Sequence, residues 1–180
     1  MNPDVSKILI DEPALQKRIS ELSQELTRDY AGKDPIIIGI LKGAVPFFSD
    51  LFRRLDFPCR CDFIGASSYG SGTKSSGMVN IYKDATESLE GQHLIVVEDI
   101  LDTGTTLSFL IDYLKERNPA SIRLCALLDK PSRRNPDITL QADYVGFTIP
   151  NEFVIGYGLD FNQYYRNLPY IGVLDPKKYL

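Results

Sequence analysis

The sequence predicts an α/β protein with a mostly parallel, twisted sheet flanked by helices. Three observations carry this. The short unbroken apolar runs PIIIGIL (35–41) and HLIVV (93–97) have the character of strands covered on both faces. Segments with apolar residues at helical spacing alternate with them along the chain. Three polar loops, 41–44, 98–106 and 130–134, fall at strand ends, where open α/β sheets hold their ligands.

Asp11 and Pro13 open a first helix in which Leu15, Ile19, Leu22 and Leu26 recur, and Gly32 stops it. The strand 35–41 follows, and after Lys42-Gly43-Ala44 the stretch VPFFSDLFRRL (45–55) suits a helix with Pro46 near its first turn. Phe57, Cys59, Cys61 and Phe63 alternate, which predicts a longer strand over 57–67. SSYGSGTKSSG (67–77) is a polar, glycine-rich loop, and MVNIYKD (78–84) is the strand returning from it. The strand 93–97 leads to a helix that buries Leu107, Leu110, Ile111 and Leu114 and ends near Asn118-Pro119. SIRLCALLDK (121–130) is a strand, residues 131–136 a turn, and DYVGFTI (143–149) another strand. Residues 153–176 mix short strands with turns. With no repeat and no linker, residues 1–180 read as one domain.

The chain has 180 residues, 43% of them hydrophobic, enough for one compact core. A net charge of −4 argues against a nucleic-acid partner, and no run reaches the length of a membrane span. The N-terminus carries acids where a secretory signal needs a basic start, so a cytoplasmic location is expected. Cys59, Cys61 and Cys125 are odd in number and lack CxxC spacing, which fits small buried thiols. His93 is the sole histidine, which argues against a histidine-based triad and against a multi-histidine metal site.

The chemistry concentrates where the strand HLIVV runs into Glu98, Asp99 and Asp102. Carboxylates this close raise one another's pKa, and burying them without partners is costly, so cationic or hydrogen-donating groups are expected to meet them. Residues 102–106, Asp-Thr-Gly-Thr-Thr, sit between strand and helix. Gly104 lets the backbone turn its N–H groups inward, threonine hydroxyls add donors, and the helix presents its positive end: a nest for a phosphate. Alone, the same residues read as a helix cap. Two acids beside a phosphate nest also suit a ribose diol or a magnesium ion. The chain has neither GxxxxGK[ST] nor a GxGxxG after a strand, which argues against a P-loop and removes the dinucleotide fingerprint.

Glu98 to Thr106, EDILDTGTT, resembles the phosphoribosyl-pyrophosphate signature of the type I phosphoribosyltransferases. With LKGA (41–44), SSYG (67–70), LLDKPSRR (127–134) and FVIGYGLDFNQYYR (153–166), the chain resembles their hypoxanthine-guanine branch over residues 8–175. The resemblance implies a core over about 33–150 and a small hood formed by the N-terminal segment and residues 151–180. It implies transfer of the 5-phosphoribosyl group from phosphoribosyl pyrophosphate to N9 of a 6-oxopurine, with Mg2+ as cofactor and a homodimer or homotetramer as the assembly. Carried over, Asp102, Thr103, Gly104, Thr105 and Thr106 hold the 5-phosphate. Glu98 and Asp99 take the ribose hydroxyls, directly or through magnesium, and Asp102 is the general acid or base for the purine N7 proton. Leu41, Lys42, Gly43 and Arg166 face pyrophosphate, and the Leu41–Lys42 bond can be cis. Phe153 stacks on the purine, and Lys130 donates to its O6, which rejects adenine. Carbonyls near Val154 and Asp160 receive the guanine amino group, and Asp160 matches a second metal ligand. Ser68 and Tyr69 belong to a loop closing over the site. The competing readings are a xanthine- or adenine-preferring transferase and, from another class, a phosphoribosyl-pyrophosphate sensor that binds RNA. The latter needs a basic face, and the one dense basic stretch is Lys130 to Arg134.

Overall fold

A computed structural model describes residues 1–68 and 79–179. Tyr69, expected in the loop that closes over the site, and the side chain of Ser68 lie outside the described residues.

The order of elements is β1 (Val5–Ile10), α1 (Glu12–Tyr30), β2 (Ile36–Leu41), α2 (Val45–Phe52), β3 (Arg60–Ser68), β4 (Val79–Lys83), β5 (His93–Leu101), α3 (Thr105–Lys115), β6 (Ser121–Asp129), β7 (Tyr144–Thr148), β8 (Val154–Ile155) and β9 (Ile171–Leu174). Six strands form the main sheet in the order β4-β3-β2-β5-β6-β7. All neighbours in it are parallel except β3 and β4. The expected mostly parallel sheet flanked by helices is the fold observed.

Both faces of the central strands are covered, which is why they read as unbroken apolar runs. Ile37, Ile95, Val97 and Cys125 point into a core with Leu15, Leu22, Phe47 and Leu51 of α1 and α2. Ile36, Ile38, Leu94 and Val96 point the other way, onto Leu107, Leu110 and Leu114 of α3. Helix α1 begins where expected, with Asp11 Oδ1 accepting from Ala14 N at 2.9 Å.

A second, three-stranded antiparallel sheet, β1-β9-β8, is built from the two ends of the chain over Val5, Ile155 and Leu174. It is tied to the main body by Tyr157, whose hydroxyl donates to Asp50 Oδ2 at 2.5 Å beside Gln16 Nε2 at 2.8 Å.

Several boundaries differ from the sequence reading. Strand β5 does not stop at Val97 but continues through both acids to Leu101, because Glu98, Ile100 and Leu101 keep their ladder partners on β6. Helix α2 ends at Phe52, α3 ends at Lys115, and β3 starts at Arg60 rather than Phe57. Of the three cysteines only Cys125 is buried; Cys59 is half-buried and Cys61 exposed. The cause is local: β4 pairs with β3 only from Gly65 onward, so Cys61 sits where β3 is still an edge strand.

Candidate functional site

Three strand ends and the second sheet converge. At the first, β2 ends in a cis Leu41–Lys42 peptide bond, with Lys42 exposed and Gly43 packed inward. A Cβ on Gly43 would fall 1.6 Å from Asp99 Oδ2, and a Cβ on Gly158 would fall 1.9 Å from Gly43 O. The loop after β2, the acids of β5 and the chain's tail therefore touch with no side chain between them. Gly158 has φ +100°, a second reason for glycine there.

At the second, β5 delivers Glu98 and Asp99 side by side. Asp99 N donates to Glu98 Oε1 at 2.9 Å, and Ile100 N donates to Asp99 Oδ1 at 2.7 Å. Burial, then the Asp99 charge, pushes the Glu98 carboxyl well above its ordinary value. Burial also raises Asp99, although the Glu98 contact, the Ile100 N–H and the Arg166 charge oppose this. The pair resists carrying two negative charges unless a cation joins it, which fits a hard divalent ion. Among the described residues no three His, Cys, Asp or Glu side chains gather into a metal cage. Asp160, the third expected ligand, instead pairs with Arg166 Nη2 at 2.8 Å, and Arg166 Nη1 donates to Gly158 O at 2.6 Å. An ion that takes one or two carboxylates and fills its shell with water and substrate phosphate needs no cage of three.

Beyond Leu101 the chain turns into α3 through Gly104, which adopts φ +82° as the residue before the helix. The loop's carbonyls are held from one side: Lys130 N donates to Leu101 O at 3.0 Å, Arg134 Nη1 to Asp102 O at 3.0 Å, and Asn135 N to Thr103 O at 3.0 Å. Arg134 is itself paired with Asp129. Inside the turn lies a cavity of about 160 Å³ bounded by Glu98, Asp102, Thr103, Gly104 and Thr106. Thr105 starts the helix and is not among its walls.

At the third, the register of β5 with β6, Leu101 beside Asp129, brings Lys130 next to the Asp102 turn. Lys130 is 6% exposed and donates from Nζ to Glu152 O at 2.9 Å; burial lowers its ammonium pKa. It lines a cleft of about 340 Å³ with Asp102, Arg133, Phe153, Val154 and Tyr179. Phe153 is 40% exposed at the rim, whereas Val154 is buried in β8.

Ile100 and Asp102 belong to both cavities. Asp102 Oδ1 is buried and has no hydrogen-bond partner among the described residues, with Arg133 Nε 3.5 Å away. A buried carboxylate oxygen that accepts no hydrogen bond is costly, even with an arginine 3.5 Å away. It is accounted for if a ligand proton arrives there.

Sequence reasoning missed Arg133, Arg134, Gly158 and Tyr179. The basic run was visible, but that Arg134 folds back onto the Asp102 carbonyl follows only from the 131–133 turn. Gly158 lay within a quoted motif, and only the approach of Gly43 gives it a reason.

A cleft of about 340 Å³ and a phosphate-sized nest meet at one shared carboxylate, and the chain carries a phosphoribosyl transferase domain, whose family model matches residues 6–162. Over 179 residues the chain is 50% identical to a hypoxanthine-guanine phosphoribosyltransferase of Bacillus subtilis, covering 99% of this chain and 98% of that one. A Streptococcus pneumoniae protein of the same name is 50% identical over 98% of this chain and 97% of its own. The crystal structure of a Staphylococcus aureus hypoxanthine phosphoribosyltransferase superposes with a TM-score of 0.94 at 47% identity, covering 100% of this chain and 99% of that one. The chain belongs to the hypoxanthine-guanine branch of the phosphoribosyltransferases. It also spans 27% of the length of a Listeria monocytogenes relative named bifunctional protein TilS/HprT, at 54% identity.

Proposed function

We propose that the protein transfers the 5-phosphoribosyl group of phosphoribosyl pyrophosphate to N9 of hypoxanthine and guanine, forming IMP and GMP and releasing pyrophosphate in purine salvage. The observation that carries this is the buried Asp102 Oδ1, which accepts no hydrogen bond among the described residues and stands on the wall between a ring-sized cleft and a phosphate-sized nest. In the reaction the bond from C1 of the ribose to the pyrophosphate oxygen breaks and a bond from C1 to N9 forms. The purine must then shed the proton carried at N7, and Asp102 stands where it can accept it.

The other residues take roles that their surroundings favour. The N–H groups and hydroxyls of the turn from Asp102 to Thr106 bind the 5-phosphate, helped by the positive end of α3. Thr105 contributes through its backbone. Lys42 and Arg166, with the amides of Leu41 to Gly43, meet pyrophosphate, so Arg166 must exchange its Asp160 partner for the substrate. Lys130 already spends one donor on Glu152 O and has two left for the purine O6. Adenine would present an amino group there, donor against donor. Phe153 stacks on the base, and carbonyls near Val154 and Asp160 receive the guanine amino group. Glu98, Asp99 and Asp160 are the residues that would hold Mg2+, which when bound neutralises phosphate charge and orients the ribose. The sheet of the two chain ends serves as the hood.

That the relatives carry this enzyme's name supports the reading over an RNA-binding sensor or a xanthine-preferring transferase. A homo-oligomer and a cytoplasmic location remain part of the proposal; among the described residues no helix is long and apolar enough to cross a membrane. The test is Asp102→Asn, which keeps shape and removes the basic oxygen. Turnover should fall by roughly 10²–10⁴ with phosphoribosyl-pyrophosphate binding kept. A fall under about tenfold would remove Asp102 as the proton acceptor.

A further inference from the structure

The segment after β9 brings an aromatic ring into the base cleft. Asp175 caps one short turn, Pro176–Lys178, by accepting from Lys177 N at 3.0 Å. The turn is pinned to the start of the chain: Asp175 N donates to Asp4 O at 2.9 Å, and Lys178 Nζ lies 2.7 Å from Asp4 Oδ1. The other Asp4 oxygen accepts from the Tyr165 hydroxyl at 2.7 Å. Tyr179 N then donates to Pro176 O at 3.2 Å.

The outcome is that Tyr179 lies against Phe153, ring centroids 4.9 Å apart and planes 24° from parallel. Phe161 meets the same ring edge-on, at 5.7 Å and 87°. Phe153 is a rim residue, and a rim phenylalanine without neighbours would turn freely and lose that freedom on binding. Held between a stacked and an edge-on ring, its plane is set in advance. Tyr179 also lines the base cleft, and neither it nor Phe153 borders the phosphate nest.

We infer that Tyr179 is a positioning residue of the base cleft, which fixes the Phe153 ring for stacking and so sets affinity for the purine and not for the sugar phosphate. The inference rests on the cleft being the purine site, as proposed above. Lys178 and Asp4 position Tyr179 and touch no substrate.

The test uses the full chain with Tyr179→Ala and Tyr179→Phe. At saturating phosphoribosyl pyrophosphate, Tyr179→Ala should raise KM for hypoxanthine by roughly three- to tenfold, the factor a stacked aromatic pair commands. The KM for phosphoribosyl pyrophosphate should not move, and Tyr179→Phe should restore the wild-type value. An unchanged or lowered KM for hypoxanthine, an equal rise for both substrates, or failure of the phenylalanine variant to rescue would each overturn the assignment. Calorimetric titration with GMP separates the two readings. If the wild type forms no nucleotide yet GMP binds more weakly to Tyr179→Ala, the transfer reaction fails and the wall stands. If GMP binds both equally, the wall falls whatever the turnover.

Discussion

Replacing Gly43 by alanine should separate the geometry of the site from the stability of the fold. The new methyl would lie 1.6 Å from Asp99 Oδ2 and 2.7 Å from its Cγ. Ordinary contact starts at 3.4 Å, so the carboxylate must retreat by 3.4 − 1.6 = 1.8 Å. Asp99 is not free to do so, since Ile100 N holds its other oxygen at 2.7 Å and Glu98 stands beside it. The overlap involves the tip of a side chain, so the folding cost should stay near the 1–3 kcal/mol typical of overpacking, a melting shift of roughly 2–12 °C for a chain this size. The catalytic cost is larger, because a misplacement of about 1 Å can cost 10²-fold in rate. We expect kcat/KM for hypoxanthine to fall by at least about 10², measured by nucleotide formation alongside thermal unfolding. Gly158→Ala makes the contrast: its methyl would fall 1.9 Å from Gly43 O, a backbone atom, at a φ of +100°. It should unfold at a lower temperature than Gly43→Ala. A Gly43→Ala protein with kcat/KM within tenfold of wild type would refute the contact between the loop and the acid pair as a functional one.

Two further outcomes follow from single residues. Lys130→Met should lower kcat/KM for hypoxanthine by roughly 10–100-fold, the loss of a donor to a buried acceptor, while leaving the melting temperature level or higher; a selective loss of stability would make Lys130 a structural residue. Asp62 should govern acid stability. Burial pushes its carboxyl up, but the N–H groups of Thr86 and Phe63, with Lys83 and the Thr86 hydroxyl, hold it at about 2. Its folded pKa lies below the ordinary 3.8, so the unfolded chain binds more protons in between; the contribution is present above 3.8 and is lost as pH falls through about 2. In Asp62→Asn the wild-type slope of stability against pH between those values should shrink, which denaturant melts from pH 4.5 to 2 would read.

Much of this was legible in the residues themselves. The central strands and their helices announced themselves because burial on two faces writes an unbroken apolar run and a helix writes its spacing. What stayed hidden was what needs a partner. Strand β1, VSKILI, buries only Val5 and Ile10, so its pattern is silent until β9 pairs with it. The end of β5 was misplaced because acids mark a loop by composition, and only the ladder to β6 keeps Glu98 in a strand. The nest and the acid pair were readable as local sequence. That Asp102 divides two cavities, that Asp160 pairs with Arg166, and that Tyr179 reaches Phe153 are consequences of segments brought together from far apart in the chain.

The most direct test is nucleotide formation from phosphoribosyl pyrophosphate and Mg2+ with hypoxanthine, guanine, xanthine and adenine in parallel, following product and pyrophosphate together. The account predicts IMP and GMP with stoichiometric pyrophosphate and no product from adenine, since Lys130 offers a donor where adenine carries one. AMP at a rate comparable to IMP, or no nucleotide from any base, would contradict it.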